Sequence, residues 1–177
     1  PVAELEGAIE VLRHRTGDDG VNPSEEIAKL QSTAERLLQQ VYAKLTPWQK
    51  VQVARHPQRP HFSDYLAEVI EEWTPLAGDR LFGEDMAIIG GLGRFRGRAV
   101  VVMGHEKGSD TDSRVQHNFG MARPEGYRKA QRLFQIADRF KLPVLSLVDT
   151  PGAYPGVDAE ERGQAEAIAR SIEAGLN

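Results

Sequence analysis

The chain has 177 residues, no cysteine, 27% charged residues and a formal net charge of −4 at pH 7. Its size suits one ordinary domain with or without a helical extension, and its acidic balance argues against nucleic acid as a partner of the whole chain. The missing cysteines exclude a disulfide framework, a thiolate zinc site and a cysteine nucleophile from these residues. No apolar run reaches the about 20 residues of a membrane span, and the acidic N-terminus lacks a signal-peptide core, so we expect a cytoplasmic protein with no membrane partner.

Residues 1–80 are predicted to form an N-terminal helical region. Apolar residues recur at helical spacing over Ala3–His14, over a long segment from Asn22 to Leu45 and over Pro47–Ala54. An asparagine N-cap and a proline at the first helical position suit the start of the long helix. A further helix is predicted over Ser63–Trp73, after a turn rich in proline, histidine and arginine.

Residues 81–177 alternate between strand and helix patterns and predict an α/β domain. Two β-rich runs, Ala87–Gly91 and Ala99–Met103, predict a hairpin that turns at Arg96-Gly97. A long polar loop is predicted over Gly104–Pro124, and an amphipathic helix over Tyr127–Phe140. Arg128 and Lys129 are assigned to the solvent face of that helix, with no role that the sequence defines.

A rigid loop follows the apolar run Leu142–Val148, which is typical of a buried parallel strand. The loop carries two Pro-Gly pairs, Pro151-Gly152 and Pro155-Gly156, with Ala153 and Tyr154 between them. Open α/β sheets bind ligands at the carboxyl ends of their strands. Because proline fixes φ and glycine lets main-chain N–H groups approach a ligand, we expect chemistry performed by main-chain dipoles.

The end of the chain predicts a last helix and an unfinished sheet. Asp158 and Glu161 form a capping-box-like pair at the start of a helix that continues to about Ala174. The chain stops at Asn177, where another strand is expected. We therefore expect the core to be completed by further residues or by a partner.

Other motifs carry weaker indications. Asp149–Gly152 matches the DxxG of nucleotide-switch proteins, but the P-loop that this function requires is absent from the sequence. The glycines of Gly90–Gly93 fit close packing or a bulge better than a dinucleotide loop. No histidine pair has HxxxH spacing, so no metal site is predicted. His105, at a strand end, is the best candidate for an acid–base side chain, although a structural role is the commoner one for such a residue.

A second loop, which includes Gly120 and Met121, precedes the amphipathic helix and is a candidate pocket wall beside the Pro-Gly loop. The two loops flank one helix–strand unit, and such loops commonly lie at opposite ends of a sheet. That geometry limits the expectation that they meet.

Several long strings occur in one order and carry a resemblance to a known family. They are NFGMARPEGYRKA (Asn118–Ala130), FKLPVLSLVDTPGAYPG (Phe140–Gly156) and AEERGQAEAIAR (Ala159–Arg170), with the shorter ARHPQRP (Ala54–Pro60), AGDR (Ala77–Arg80) and GHEKG (Gly104–Gly108). In these strings the chain resembles the α subunit of the acetyl-CoA carboxylase carboxyltransferase of bacteria and plastids. The resemblance implies a crotonase-like ββα superhelix, incomplete in this chain, preceded by the N-terminal helical region.

The resemblance also implies a reaction and its partners. Carboxybiotin on its carrier protein gives its carboxyl group to acetyl-CoA, and malonyl-CoA forms for fatty acid synthesis. The implied partners are a zinc-finger-bearing carboxyltransferase β subunit, the biotin carboxyl carrier protein and, in the wider complex, biotin carboxylase. A heterotetramer of two α and two β subunits is expected, in the cytoplasm or, for a plant protein, in the plastid stroma.

The resemblance assigns the carboxybiotin side of the site to main-chain groups. The substrate-binding candidates are Gly152, Ala153, Tyr154, Pro155 and Gly156, with Gly120 and Met121 as a second wall. The glycines of the oxyanion hole are expected after Asn177, so no catalytic residue is assigned here and the isolated chain is predicted to be inactive. No metal is expected in this chain.

Two alternatives stay open at this point. One is a related biotin-dependent acyl-CoA carboxyltransferase or decarboxylase of the same fold. The other is a non-catalytic assembly module, in which the long helix over residues 22–45 serves as a docking arm.

Overall fold

The computed structural model describes residues 2–14 and 23–176, and the chain divides into two compact units, residues 1–59 and 60–177. The sequence prediction placed its boundary at residue 80. The helix and strand that lie between residues 60 and 80 belong to the second unit, because they pack on its sheet.

The first unit contains three helices in its described residues: α1 (Val2–His14), α2 (Pro23–Ala43) and α3 (Pro47–Ala54). All three were predicted, and α2 ends earlier than its apolar pattern suggested. The predicted cap at Asn22 and the loop before it lie outside the described residues. Ile9 and Ala34 are the buried apolar side chains of α1 and α2. Thr46 caps α3 through a reciprocal pair of hydrogen bonds with Gln49, which satisfies main-chain donors at the helix start.

The second unit is built on one four-stranded mixed sheet in the order β1-β2-β3-β4. Its strands are β1 (Glu71–Pro75), β2 (Ile88–Phe95), β3 (Arg98–His105) and β4 (Val144–Leu147). Its helices are α4 (Phe62–Val69), α5 (Thr111–Gln116), α6 (Pro124–Phe140), α7 (Val157–Glu161) and α8 (Gln164–Leu176), with a short 3-10 turn at Asn118–Gly120. Strands β1, β2 and β3 pair antiparallel, and β4 pairs parallel to β3.

The predicted hairpin is confirmed. Strands β2 and β3 pair from Ile88↔His105 to Phe95↔Arg98, and the turn falls at Arg96 and Gly97. Both turn residues have positive φ, 51° and 76°, as the tight turns that match the twist of paired strands require.

Strand β1 was missed, because the helix predicted over Ser63–Trp73 ends at Val69 instead. Ile70 is extended, and Trp73 then packs on the sheet beside β2. The glycines of β2 permit this close approach: a Cβ at Gly91 would lie 2.2 Å from the Thr74 carbonyl oxygen. The interpretation of these glycines as close-packing positions is thus confirmed, although the packing partner was not foreseen.

Each face of the sheet has its own core. Helix α6 covers one face, where Val101 and Met103 of β3 meet the fully buried Leu133. On the other face, Phe62 of α4 packs with Val102. The predicted parallel pairing of β4 is confirmed, but the prediction that it is buried is wrong, since its residues are half-buried or exposed.

Two further predictions are corrected in the second half of this unit. The predicted loop over residues 104–124 contains α5, which Asp110 caps through the Ser113 amide. The last helix is two helices, α7 and α8, divided at Gly163 with φ 80°. Asp158 does not cap α7: Gly156 is the N-cap, and the Asp158 carboxylate instead forms an ion pair with Arg162, at 3.3 Å.

Candidate functional site

The carboxyl ends of the adjacent parallel strands β3 and β4 define one edge of the sheet. The chain leaves β3 at His105, passes through the loop with Gly120 and Met121, follows α6 and returns along β4 to the Pro-Gly loop. The two loops therefore lie at the same end of the sheet, and the common arrangement at opposite ends does not apply here. Both loops follow carboxyl ends of parallel strands, which is where open α/β sheets bind ligands.

Hydrogen bonds join the two loops directly. The Thr150 hydroxyl donates to the Gly120 carbonyl oxygen at 2.6 Å, and the Tyr154 amide donates to the Ala122 carbonyl oxygen at 3.0 Å. Arg123, from the first loop, stacks its guanidinium 4.4 Å from the ring centre of Tyr154. The two loops thus form one continuous wall held by main-chain and side-chain contacts.

A buried glutamine reinforces this wall from behind. The Gln164 side-chain amide donates to the Ala122 carbonyl oxygen at 2.9 Å and to the Tyr154 carbonyl oxygen at 3.2 Å. Gln164 is 3% exposed and is the first residue of α8. Nothing in its sequence position marked it, because its partners lie 42 and 10 residues away along the chain.

The amides of the Pro-Gly loop differ in their bonding. The Gly152 amide donates to the Thr150 hydroxyl oxygen at 3.1 Å, and the Tyr154 amide is taken by Ala122. Within the described residues, the Ala153 amide between them has no protein acceptor. Ala153 itself is half-buried. Its N–H group and that of Gly156, which likewise has no protein acceptor within the described residues, are the donors of this loop that a bound oxyanion can use.

The other predicted wall residues occupy the same surface. Gly156, like Gly152 and Met121, is half-buried, whereas Pro155 is exposed and Gly120 is buried. Gly120 has φ 77°, and a Cβ there would lie 2.7 Å from Cγ of Lys107 and 3.3 Å from the Asp149 carbonyl oxygen. Only glycine fits this position, because both its backbone conformation and its neighbours exclude a side chain.

Lys107 and Asp149 form an ion pair at this edge, with 2.6 Å between Nζ and Oδ2. Lys107 follows β3 and Asp149 follows β4, so the pair bridges the segments that leave the two strands. Neither side chain was predicted to line this site from the sequence. The sequence positions of Lys107 and Asp149 could have indicated the pair, because each residue lies two positions after the end of a strand and the two strands pair in parallel.

His105, the candidate acid–base residue, is the last residue of β3. Burial lowers the pKa of its imidazole, and the nearby Asp149 carboxylate and the Leu147 backbone only partly oppose that effect. Its Nε2 atom is buried and has no hydrogen-bond partner among the described residues. The side chain lines a cavity of about 160 Å³ between β3, β4, α6 and α8, together with residues such as Met103, Tyr127 and Phe134. Burial thus disfavours the charged imidazolium, and in the part of the chain that the structure describes no hydrogen-bond partner reaches Nε2.

Glu106 anchors the segment that carries Lys107. Its carboxylate is 3% exposed and accepts hydrogen bonds from the Ser63 amide at 2.9 Å, the Ser63 hydroxyl at 2.6 Å and the Gly108 amide at 2.8 Å. Burial alone would raise the pKa of Glu106, but these bonds and the nearby His61 outweigh it, so the pKa lies below its usual value.

Replacing Ser63 with alanine is expected to destabilise the protein at pH 7 by about 1–2 kcal/mol, because a charged hydrogen bond is lost. A carboxyl with a lowered native pKa contributes stability above its unfolded-state pKa and loses it as the pH falls. The difference between the wild type and S63A should therefore shrink as the pH falls below about 4.5, the ordinary pKa of a glutamate side chain. Thermal unfolding above and below that pH measures it, with Ser109→Ala as the control. A pH-independent difference would contradict this account.

The family is decided by the sequence as a whole. The entire chain, residues 1–177, matches a family model described as acetyl co-enzyme A carboxylase carboxyltransferase-like. The chain belongs to this family. It is 66% identical over 177 residues to the acetyl-coenzyme A carboxylase carboxyl transferase subunit alpha of Paramagnetospirillum magneticum, covering 100% of this chain and 56% of that relative. It is 69% identical over 173 residues to the same subunit of Rhodospirillum centenum, covering 98% and 55%. The chain thus spans about half the length of these curated relatives.

Solved structures support the same fold at lower identity. The β subunit of P. aeruginosa geranyl-CoA carboxylase superposes with a TM-score of 0.53 at 23% identity, over 69% of this chain and 21% of that one. Transcarboxylase 12S superposes with a TM-score of 0.53 at 22% identity, over 67% and 21%. The predicted crotonase-like carboxyltransferase fold is therefore confirmed.

An ionic network around α6 corrects one prediction made from the sequence. Arg128 and Lys129 do not lie on a solvent face. Arg128 pairs with Asp79 at 2.7 Å and with Glu125 at 3.1 Å, while Lys129 is 3% exposed and bonds Glu84 and main-chain carbonyls. The segment before β2 covers this side of α6. Its sequence has no repeating apolar pattern, so this contact could not be predicted.

Asp79 is the acceptor that fixes this covering segment. Burial would raise the pKa of Asp79, but bonds from the Leu81 and Phe82 amides and from Arg128 outweigh it, and the pKa lies well below its usual value. The network is structural, since it holds α6 and α7 in place behind the loops.

Among the described residues, no cluster of three or more histidine, aspartate or glutamate side chains is arranged to hold a metal ion. None of the helices in the described ranges has both the length and the apolar character to cross a membrane.

Proposed function

We propose that this chain is part of a carboxyltransferase α subunit that transfers the carboxyl group of carboxybiotin to acetyl-CoA. The observation that carries the proposal is the joined wall of two loops at the carboxyl edge of β3 and β4. This wall offers main-chain N–H groups that have no protein acceptor within the described residues. Such donors suit a reaction whose difficult step creates oxyanions.

The reaction needs two charges to be stabilised. The C–N bond between the carboxyl carbon and N1 of biotin breaks, and negative charge moves onto the ureido oxygen. The methyl group of acetyl-CoA loses a proton, which biotin N1 takes up, and the resulting carbanion forms the new C–C bond to the carboxyl carbon. The products are biotin and malonyl-CoA, so atoms and charges balance.

The Ala153 amide is the group proposed to meet the ureido oxygen. Its neighbours at Gly152 and Tyr154 are already engaged, and the rigid loop holds its N–H in place before substrate arrives. Removing one preorganised donor of this kind typically costs about 10²–10³ in kcat. Gly120 and Met121, with Gly156, shape the surface on which the bicyclic ring lies.

The acetyl-CoA side of the site is assigned to a β subunit with its own zinc finger, and biotin reaches the interface on its carrier protein, which biotin carboxylase loads. Assembly into a heterotetramer of two α and two β subunits is part of the same proposal. The bacterial source of the relatives favours the cytoplasm over a plastid stroma. Two relatives, at 66% and 69% identity, are α subunits of acetyl-coenzyme A carboxylase carboxyl transferase. They support acetyl-CoA as the acceptor.

The test is malonyl-CoA-dependent carboxylation of free biotin by the full-length chain, with and without its candidate β subunit. We expect acetyl-CoA to be released only when both subunits are present. Methylmalonyl-CoA serves as the comparison substrate, and preference for it would redirect the proposal to another acyl-CoA. A verified, assembled pair without activity on either substrate would overturn the proposal.

A further inference from the structure

Lys107 places an ammonium group at the edge of the sheet where the two loops meet. Its Nζ atom is 2.6 Å from the Asp149 carboxylate, and the side chain is 29% exposed. No second ion-pair partner for this ammonium lies in the described part of the chain. A lysine ammonium has three N–H donors, so capacity remains for an oxygen atom of a ligand.

Contacts of its stem and of the preceding residue hold the Lys107 side chain in position. Its stem lies against Gly120, where a Cβ would come within 2.7 Å of the Lys107 Cγ. The preceding residue, Glu106, is fixed by its bonds to Ser63 and Gly108. Little reorganisation is therefore needed before this cation acts on a bound group.

The pair with Asp149 does not prevent such a role. The Asp149 side chain is 53% exposed, and exposed ion pairs are typically weak because water screens them. The ammonium can keep this carboxylate as its anchor and donate a second N–H to a ligand oxygen.

We propose that Lys107 donates a charged hydrogen bond to the ureido oxygen of biotin as negative charge develops there. The proposal rests on the carboxyltransferase function proposed above and adds a side-chain donor to the main-chain donors of that site. Because the ureido oxygen is neutral in carboxybiotin and charged only after the C–N bond breaks, the interaction is strongest in the transition state. It should act on kcat more than on KM.

The experiment compares Lys107→Met with the wild type in the full-length, assembled carboxyltransferase, using malonyl-CoA and free biotin. A charged hydrogen bond corresponds to about 10- to 100-fold in rate, so kcat should fall by that factor. The KM values for biotin and malonyl-CoA should change by less than about 3-fold, as expected for an interaction made mainly in the transition state. Lys107→Arg retains the charge and should recover most of the lost rate.

The matched control is Lys141→Met. Lys141 also pairs with an aspartate, Asp138, at 2.9 Å, but it lies before β4, at the opposite end of that strand. This variant should keep the wild-type kcat.

Three results would overturn the proposal: K107M with the kcat of K141M, K107M with a changed KM and an unchanged kcat, or equal losses in K107M and K107R together with a lowered Tm. If K107M does not assemble, Lys107→Gln takes its place, and failure of K107Q and K107R to assemble would show a purely structural role. An inactive wild type would instead reject the carboxyltransferase function itself.

Discussion

Replacing Glu125 with alanine is expected to destabilise the sheet unit by about 3 kcal/mol, because it removes a buried carboxylate and leaves two half-buried guanidinium groups short of a partner. Glu125 is 2% exposed and accepts from Arg128 at 3.1 Å and from Arg162 at 2.7 Å. The loss lies at the lower end of the range for broken buried pairs, since each arginine keeps a second carboxylate, on Asp79 or Asp158. Urea unfolding of the full-length protein, followed by circular dichroism, measures the change.

The matched control for this prediction is Glu166→Ala. Glu166 also pairs with an arginine, Arg170, at 3.1 Å, but both side chains are more than half exposed. Exposed pairs of this kind contribute about 0.2–1 kcal/mol. Equal destabilisation by E125A and E166A would show that burial does not strengthen the network around α6.

The largest loss of activity outside the donors themselves is expected from Gly120→Ala. The new Cβ meets Lys107 and the Asp149 carbonyl oxygen, so both loops must shift by a few tenths of an ångström or more. Displacements of catalytic groups of about 1 Å can cost about 10²-fold in rate, and we expect a loss of this order in kcat. Steady-state malonyl-CoA-dependent carboxylation of biotin measures it.

Gly97→Ala separates the effect of contact from that of backbone strain. Gly97 has nearly the same φ, 76° against 77°, but a Cβ there meets no atom within 4 Å. Each variant should cost about 1–2 kcal/mol of stability from the left-handed conformation alone. G97A should retain the wild-type kcat, and a comparable loss of activity in both variants would refute the role given to contacts at Gly120.

Local patterns were sufficient to predict much of this fold. The hairpin turn at Arg96-Gly97 and the helix α6 rest on turn chemistry and a strong apolar period, which act within a few residues. Strand β1 was missed because Leu66, Val69 and Trp73 continue a helical spacing, while pairing with β2 decides the outcome. The Gly156 cap and the break at Gly163 also carried a local signal, a glycine, that the stronger Asp158 and Glu161 pattern obscured.

The candidate site was only partly accessible from the sequence. The Pro-Gly loop could be predicted from its composition. The family resemblance indicated the second loop, which contains Gly120 and Met121. The contacts that join the loops involve Gln164 and Thr150, whose partners lie 42 and 30 residues away. Such pairings depend on the crossover from β3 through α6 to β4, and no local period encodes them.

Lys129 gives the molecule a constraint on the order in which it folds. This α6 side chain donates to the main-chain carbonyls of Asp85 and Ile88, 44 and 41 residues earlier in the chain. Contacts across such separations form after the intervening chain has been closed into a loop. The Asp85 and Ile88 carbonyls can therefore acquire this donor only once α6 has docked, although the stretch that leads into β2 leaves the ribosome first. During synthesis, the Asp85 and Ile88 carbonyls therefore lack the Lys129 ammonium until α6 has been made.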